Sequence, residues 1–333
     1  MKALVTGASG FIGSTLIEEL NTLGFEVHAL LRKSSLNQNL EGLEYKRIDG
    51  DLSDFESLSS AVREVDYVFH LAGTTQARTR SEFFQVNAHG TERLVRAVSR
   101  YRSNLTRFVF VSSLAAAGPA QTLQSRVESD LDCPVSNYGE SKLQAEKEVL
   151  KYQFDFPISI VRPPMVYGPK DRGVFFLIQT IARNFMPILQ GDTQDGHKYY
   201  SAIHVKDLCR GIVQAAVASP GKVPSGEKFY LTGDGIYTYQ EFMSTIAERL
   251  NCDPMRIKIP SIAVKTAAAG LSAFSLVTRK SYPLNLDKLH EVLSDYWICS
   301  SQKAKTMLGF SPEFDLVSGM SHAIEWYKRQ RWI

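Results

Sequence analysis

The chain has 333 residues, 44% of them hydrophobic and 22% charged, which excludes a disordered, collagenous or disulfide-scaffold protein. At about 150 residues per domain, the length suits two domains or one α/β domain with a satellite lobe. The 38 basic and 35 acidic residues leave a formal charge of +3, too small an excess to indicate a nucleic-acid or acidic-membrane partner.

In chain order, the first 170 residues alternate short apolar runs with helical patterns. Strands are predicted at Ala3–Val5, Val27–Leu31, Tyr45–Ile48, Val65–Leu71, Phe108–Ser112 and Ile158–Val161. Helices are predicted at 11–23, 54–63, 81–102 and 138–152, the first marked by Ile12, Leu16, Leu20 and Leu23 at three- and four-residue spacing. Strands separated by helices make βαβ units and a parallel sheet, so the expected fold is α/β, a doubly wound Rossmann-type sheet. Residues 1–170 are read as the dinucleotide-binding domain. Residues 171–333 are read as a smaller interleaved lobe, mainly for substrate, with some segments returning to the sheet. In that lobe, helices are expected at 174–184, 207–218, 239–250 and 317–329, and strands at 202–205 and 228–231. The apolar stretch Ile262–Thr278 is too short and interrupted to span a membrane and is read as a helix docked on the protein.

Cys133, Cys209, Cys252 and Cys299 are far apart, with neither zinc nor CxxC spacing, so no metal is expected and a reducing compartment is. A strand that starts at Ala3 leaves no room for a signal peptide, and a cytoplasmic location is the expectation.

Gly7, Gly10 and Gly13 lie between the first strand and the first helix in the segment Thr6-Gly7-Ala8-Ser9-Gly10-Phe11-Ile12-Gly13. The first permits a tight turn, the second lets a pyrophosphate approach the backbone, and the third lets the helix pack close. The helix N-terminus then offers N–H groups to the phosphates. The second strand ends Leu31-Arg32-Lys33-Ser34-Ser35 with no acid to hold a ribose 2′-hydroxyl. Arg32, helped by Lys33 and the serines, suits a 2′-phosphate, so NADP(H) is favoured and NAD(H) is the alternative. Tyr138 and Lys142 are four residues apart and share one helix face. An ammonium near a phenol favours the phenolate, so this pair suits proton transfer at a carbonyl or alcohol oxygen.

The G-x-x-G-x-x-G spacing and the Tyr138-x-x-x-Lys142 pair resemble the extended short-chain dehydrogenase/reductase family, the NAD-dependent epimerase/dehydratase superfamily. The resemblance covers the whole chain, through Arg162-Pro163-Pro164-Met165-Val166-Tyr167-Gly168-Pro169, Ile203-His204-Val205-Lys206-Asp207 and the ending Leu308-Gly309-Phe310 to Trp326-Tyr327. It implies that Ser113, preferred to Ser112 by its spacing from Gly118, binds the reacting oxygen, and that Asn87 organises the site. It places Ser9, Phe11 and Ile12 in the cofactor loop, and it makes Tyr138 and Lys142 cofactor-binding as well as catalytic. Asp51 and Leu52 fall beside the adenine, Leu71, Ala72 and Gly73 beside the cofactor, and Pro164 and Val166 in a loop over the nicotinamide. His70, His204 and Asp207 are structural in this reading. A homodimer is also implied.

Three functions remain open. One is net hydride transfer on a carbonyl or secondary alcohol of a fairly apolar small molecule, with Tyr138 as acid/base. The others are NAD-dependent epimerisation or dehydration of a nucleotide sugar, and a non-catalytic cofactor-binding role. Ser113, Tyr138 and Lys142 together disfavour the last. Arg32 favours the first, as does the stretch His197–Ala202, which lacks the arginine of sugar-nucleotide members. The apolar helix before Tyr282-Pro283-Leu284 is similar to the 3β-hydroxysteroid dehydrogenase/dihydroflavonol reductase branch. Tyr199, Tyr200, Phe185, Met186, Phe83 and Phe84 are candidate pocket walls.

Overall fold

Each apolar run in the first half of the chain becomes a strand: β1 (Lys2–Thr6), β2 (Glu26–Leu31), β3 (Lys46–Asp49), β4 (Tyr67–His70), β5 (Arg107–Val111) and β6 (Ile158–Arg162). The coordinates, a computed structural model, describe residues 1–278 and 285–333, so Tyr282-Pro283-Leu284 lies outside the described residues. A further strand, Glu227–Tyr230, comes back from the C-terminal half and pairs with β6. The sheet order is Glu227–Tyr230, β6, β5, β4, β1, β2, β3, and every pairing is parallel. Helices cover both faces, which is why β5 and β6 are apolar and buried along almost their whole length. On one face, helices Phe11–Thr22 and Val205–Val217 bury Leu16, Leu20, Leu208 and Ile212 against Val5, Ala29 and Val109. On the other, helices Phe55–Val62, Gly90–Tyr101 and Asn137–Leu150 bury Leu58, Leu94, Val98 and Val149 against Leu4, Val68 and Phe108. The strand order reverses between β1 and β4, which opens a crevice at their C-terminal ends.

Some boundaries differ from the sequence expectation, for local reasons. The continuous helix expected at 81–102 is three pieces: Arg80–Phe83, a π-helical turn Phe84–His89, and Gly90–Tyr101. The strand expected at 202–205 is Tyr199–His204, and the helix after it starts at Val205 because the His204 ring accepts from the Lys206 N–H and caps it.

The C-terminal half builds a second, smaller sheet. Tyr199–His204 pairs with Ile236–Thr238 (antiparallel), Tyr296–Trp297 (parallel) and Met165–Tyr167 (parallel). Its core includes Tyr167, Ile178, Phe242, Ile246, Met320 and Tyr327. Met186 is buried in this core rather than walling a pocket. The helix Ser261–Thr278 docks by a stripe, with Val264 and Ala268 buried against Leu189, Ile259 and Leu289, while Ile262 is 67% exposed. Among the described residues, no helix is long and apolar enough to cross a membrane.

Candidate active site

A cavity of about 590 Å³ fills the crevice at the ends of β1, β2 and β4; its wall includes Gly7, Ser9, Arg32, Asp51, Leu52, Ala72 and Gly73. Gly7 has φ +70°, and a Cβ there would lie 2.8 Å from the Ala72 nitrogen. A Cβ on Gly13 would lie 2.1 Å from the Gly7 carbonyl oxygen. Both glycines are therefore required for the loop to fold back on itself and for the helix to start against it. Gly10 donates to the Gly7 oxygen (3.0 Å) and precedes the helix Phe11–Thr22 without a side-chain cap. The first-turn N–H groups are left for an anion. This cradle and the cavity volume fit a dinucleotide. Phe11, Ile12 and Leu71 pack against the apolar core beside the loop.

At the end of β2 the charges are basic. Arg32 and Ser35 line the wall, and the Ser35 hydroxyl accepts from the Arg32 N–H (3.1 Å). Lys33 is exposed and, among the described residues, is not part of that wall. Arg93, from helix Gly90–Tyr101, is part of it and was not foreseen from the sequence. The Asp51 carboxylate accepts from Ser53 Oγ (2.6 Å) and N (2.8 Å); these bonds, with Arg32 and Arg93 nearby, hold its pKa below the usual range.

Among the described residues, none of Asn87, Ser113, Tyr138 and Lys142 is part of this cavity's wall; Asn87 and Lys142 stand behind Gly73. A Cβ on Gly73 would sit 3.0 Å from Asn87 Oδ1 and 3.9 Å from Lys142 Nζ. Asn87 stands on the π-helical turn; its Nδ2 donates to the Thr74 carbonyl and to Ser141 Oγ (both 2.9 Å), and its Oδ1 accepts from the Thr74 N–H (2.7 Å). Such turns recur at functional sites because the extra residue re-aims a side chain.

Helix Asn137–Leu150 carries Tyr138 and Lys142 one turn apart, with the Ser113 side chain near the phenol. The expected lowering of the Tyr138 pKa by the ammonium is not observed. Burial pushes it up to about 12, opposed by the nearby Ser113 hydroxyl and helped by the Glu291 charge. The Lys142 ammonium is occupied elsewhere: it donates to the Val111 carbonyl (2.7 Å) and lies 4.4 Å over the Phe110 ring. Burial brings its pKa down to about 8, opposed by Glu146. Ser113 caps a short helix, its Oγ accepting from the Ala115 N–H (3.1 Å). Ser112 is committed otherwise, donating to Glu146 (2.5 Å), which also holds the fully buried Arg162.

Residues 3–229 match the profile of the NAD dependent epimerase/dehydratase family. The chain belongs to the NAD-dependent epimerase/dehydratase family. Ceramide reductase of Caulobacter vibrioides is 31% identical, over 99% of this chain and 95% of that protein. The 4-hydroxy-2-methyl-3-oxo-4-farnesyl-3,4-dihydroquinoline-1-oxide ketoreductase of Stigmatella aurantiaca is 31% identical, over 80% of this chain and 79% of its own. The solved UDP-glucuronic acid 4-epimerase from Bacillus cereus, in complex with UDP-glucuronic acid and NAD, superposes with a TM-score of 0.78 at 24% identity, covering 99% of this chain and all of that one. That likeness is one of fold.

In this epimerase/dehydratase-family enzyme His70 and His204 are engaged in packing and hydrogen bonds within the fold. His70 is buried between Thr6 Oγ1 (2.7 Å) and Thr91 Oγ1 (2.8 Å), and burial lowers its pKa to about 3. His204 stacks on Phe314, and Asp207 accepts from the Glu313 and Phe314 N–H groups, joining the C-terminal segment to helix Val205–Val217. Pro164 and Val166, on the segment after β6, do not wall the cavity among the described residues; Val166 packs against the core and pairs with Ile203. Of the aromatic candidates, Phe83 comes within 6.2 Å of the Tyr138 ring, centroid to centroid. Phe84 lies under the Arg80 guanidinium, Tyr199 stacks on Tyr296 and Tyr200 tilts toward Tyr239. Phe185 is 43% exposed.

Sequence reasoning missed the helix Leu286–Leu293. Its Asp287 accepts from the Asn137 N–H (2.7 Å), and its Glu291 accepts from the Ser136 hydroxyl (2.5 Å), the residue that caps the Tyr138 helix. Lys288 Nζ sits 5.9 Å from the Tyr138 ring centroid. Two carboxylates from the lobe thus hold the N-terminus of the helix that carries Tyr138, where negative charge is favoured.

Proposed function

We propose that this chain is an NADP(H)-dependent oxidoreductase that transfers a hydride between the nicotinamide and a carbonyl or secondary alcohol of a fairly apolar small molecule. The observation that carries the reading is the grouping of Tyr138, Ser113 and buried Lys142 behind Gly73, next to the dinucleotide-sized cavity. In the reducing direction Tyr138 is protonated at neutral pH, so it is ready to donate to the substrate oxygen as charge develops there. Ser113 holds the same oxygen by a second hydrogen bond. Lys142, held by the Val111 carbonyl, anchors the helix that carries Tyr138, and Asn87 fixes the loop at Thr74. The bound nicotinamide supplies or accepts the hydride.

Gly7, Ser9, Gly10 and Gly13 would hold the pyrophosphate, with Asp51 and Leu52 at the adenine and Leu71, Ala72 and Gly73 along the nicotinamide half. Arg32, Ser35 and Arg93 would hold a 2′-phosphate. The choice of an apolar substrate is supported by two relatives at 31% identity, one named a reductase of ceramide and one a reductase of a farnesyl-bearing ketone. In this reading residues 171–333 serve mainly the substrate, and the enzyme is cytoplasmic and homodimeric. The test is turnover of NADPH with long-chain acylamino ketones. One alcohol formed per NADPH oxidised supports the proposal. Conversion of a UDP-sugar with no net change in the nicotinamide overturns it.

A further inference from the structure

Tyr138 is the second residue of helix Asn137–Leu150, and the first N–H groups of a helix have no partner within it. Here the lobe engages them. The Asn137 N–H donates to Asp287 (2.7 Å). The Gly139 N–H donates to Ser136 Oγ (3.1 Å), and that hydroxyl donates onward to Glu291 (2.5 Å). The backbone is thus held on both sides of Tyr138 by two carboxylates of one lobe helix, Leu286–Leu293. A third contact reaches the side chain. Lys288 pairs with Glu291, and its ammonium sits 5.9 Å from the Tyr138 ring centroid.

The lobe helix is itself tied down. Its eight residues fall short of the roughly 12–15 that an isolated helix needs, so its contacts must hold it. Leu289 packs with Val264 and Ala268. Trp297 Nε1 donates to the Glu291 carbonyl (2.8 Å). Lys198, 3% exposed and next to the strand Tyr199–His204, donates to the carbonyls of Leu293 (2.8 Å) and Ser294 (3.3 Å) and pairs with Asp295 (2.7 Å). A cation is favoured at that end of a helix. One end of this short element is therefore fixed to the lobe sheet and the other to the turn that carries Tyr138. Helix Asn137–Leu150 already packs on the large sheet through Ala145 and Val149. What the lobe adds falls on residues 136–139, around the phenol.

We propose that Asp287 and Glu291 are positioning residues for Tyr138, the lobe helix aligning the phenol with the substrate oxygen. The inference rests on the reading of Tyr138 as the acid/base. A reacting group misplaced by about 1 Å costs about 10²-fold in rate.

The test compares Asp287→Ala with Asp287→Asn. Both remove the charge, but asparagine keeps an oxygen that can accept from Asn137. Turnover of a long-chain acylamino ketone is expressed per NADPH-binding site, so that unfolded protein cancels. Asp287→Ala should lower kcat by about 10- to 100-fold with the NADPH dissociation constant unchanged, and Asp287→Asn should recover most of the loss. The Tyr138 phenol is titrated by ultraviolet difference against the same variant carrying Tyr138→Phe. Its titration should move further from the wild-type value near 12 in the alanine variant than in the asparagine one. If Asp287→Ala does not fold, Glu291→Ala against Glu291→Gln makes the same comparison through Ser136. Equal effects of the paired substitutions on both readouts, or none, overturn the proposal. Undiminished turnover in Tyr138→Phe overturns the acid/base reading and this inference with it. Impaired turnover in Tyr138→Phe beside an unaffected Asp287→Ala overturns the inference alone.

Discussion

Replacing Lys142 with methionine should stabilise the protein at neutral pH while destroying its activity. The side chain is 4% exposed, and burial takes its pKa from 10.5 to about 8. At about 1.4 kcal/mol per unit, the fold disfavours the charged form by roughly 3 kcal/mol at pH 7. Methionine has a similar length and no charge, but it gives up the 2.7 Å bond to the Val111 carbonyl, so a net gain of about 1–2 kcal/mol is expected. The folded-state pKa lies below the unfolded one. Between pH 8 and 10.5 the unfolded chain therefore holds the proton that the native state has lost, and wild-type stability rises with pH. The advantage of Lys142→Met should thus shrink across that window and vanish at its upper end. Urea unfolding of both proteins at pH 7 and pH 10 measures this, and other titrating groups cancel in the difference. A variant that is less stable at pH 7, or a gap independent of pH, would refute the reasoning.

Tyr138→Phe should lower kcat by about 10²- to 10⁴-fold, the usual loss of a general acid, and leave NADPH affinity nearly unchanged because Tyr138 lies beyond the cavity wall; undiminished turnover would sink the assignment. Arg32→Asp should weaken NADPH by about tenfold or more, with little effect on NADH, and isothermal titration of both nucleotides distinguishes this from an equal loss. Glu291→Gln removes a negative charge that raises the Tyr138 pKa, so the phenol should titrate below its wild-type value near 12. The ultraviolet difference between this variant and its Tyr138→Phe counterpart reads that shift, and a rise would contradict it.

The sheet was legible because β1, β2, β4, β5 and β6 are buried on both faces and so read as unbroken apolar runs. The glycine loop and the Tyr138–Lys142 spacing were legible because their chemistry is local in sequence. The π-helical turn at Phe84–His89 was not, since one extra residue per turn barely disturbs a helical pattern. Arg93 was hidden among the other basic residues of its helix; in the fold its guanidinium donates to the Leu52 carbonyl and it joins the cavity wall. Asp287 and Glu291 act on Asn137 and Ser136 across about 150 residues of chain, a distance over which periodicity carries no information. The direction of the Tyr138 shift was misjudged for a related reason: spacing shows that Lys142 shares its face, but not that Val111 already engages the ammonium.

The central claim is a net redox enzyme that exchanges NADP(H) with solution. It is tested most directly by denaturing the purified protein to identify any retained nucleotide, and by measuring NADPH and NADH dissociation constants on the same preparation. The account predicts little retained nucleotide and a strong preference for NADPH. One equivalent of tightly held NAD⁺ per chain would contradict it and point to a cofactor reduced and reoxidised within each turnover.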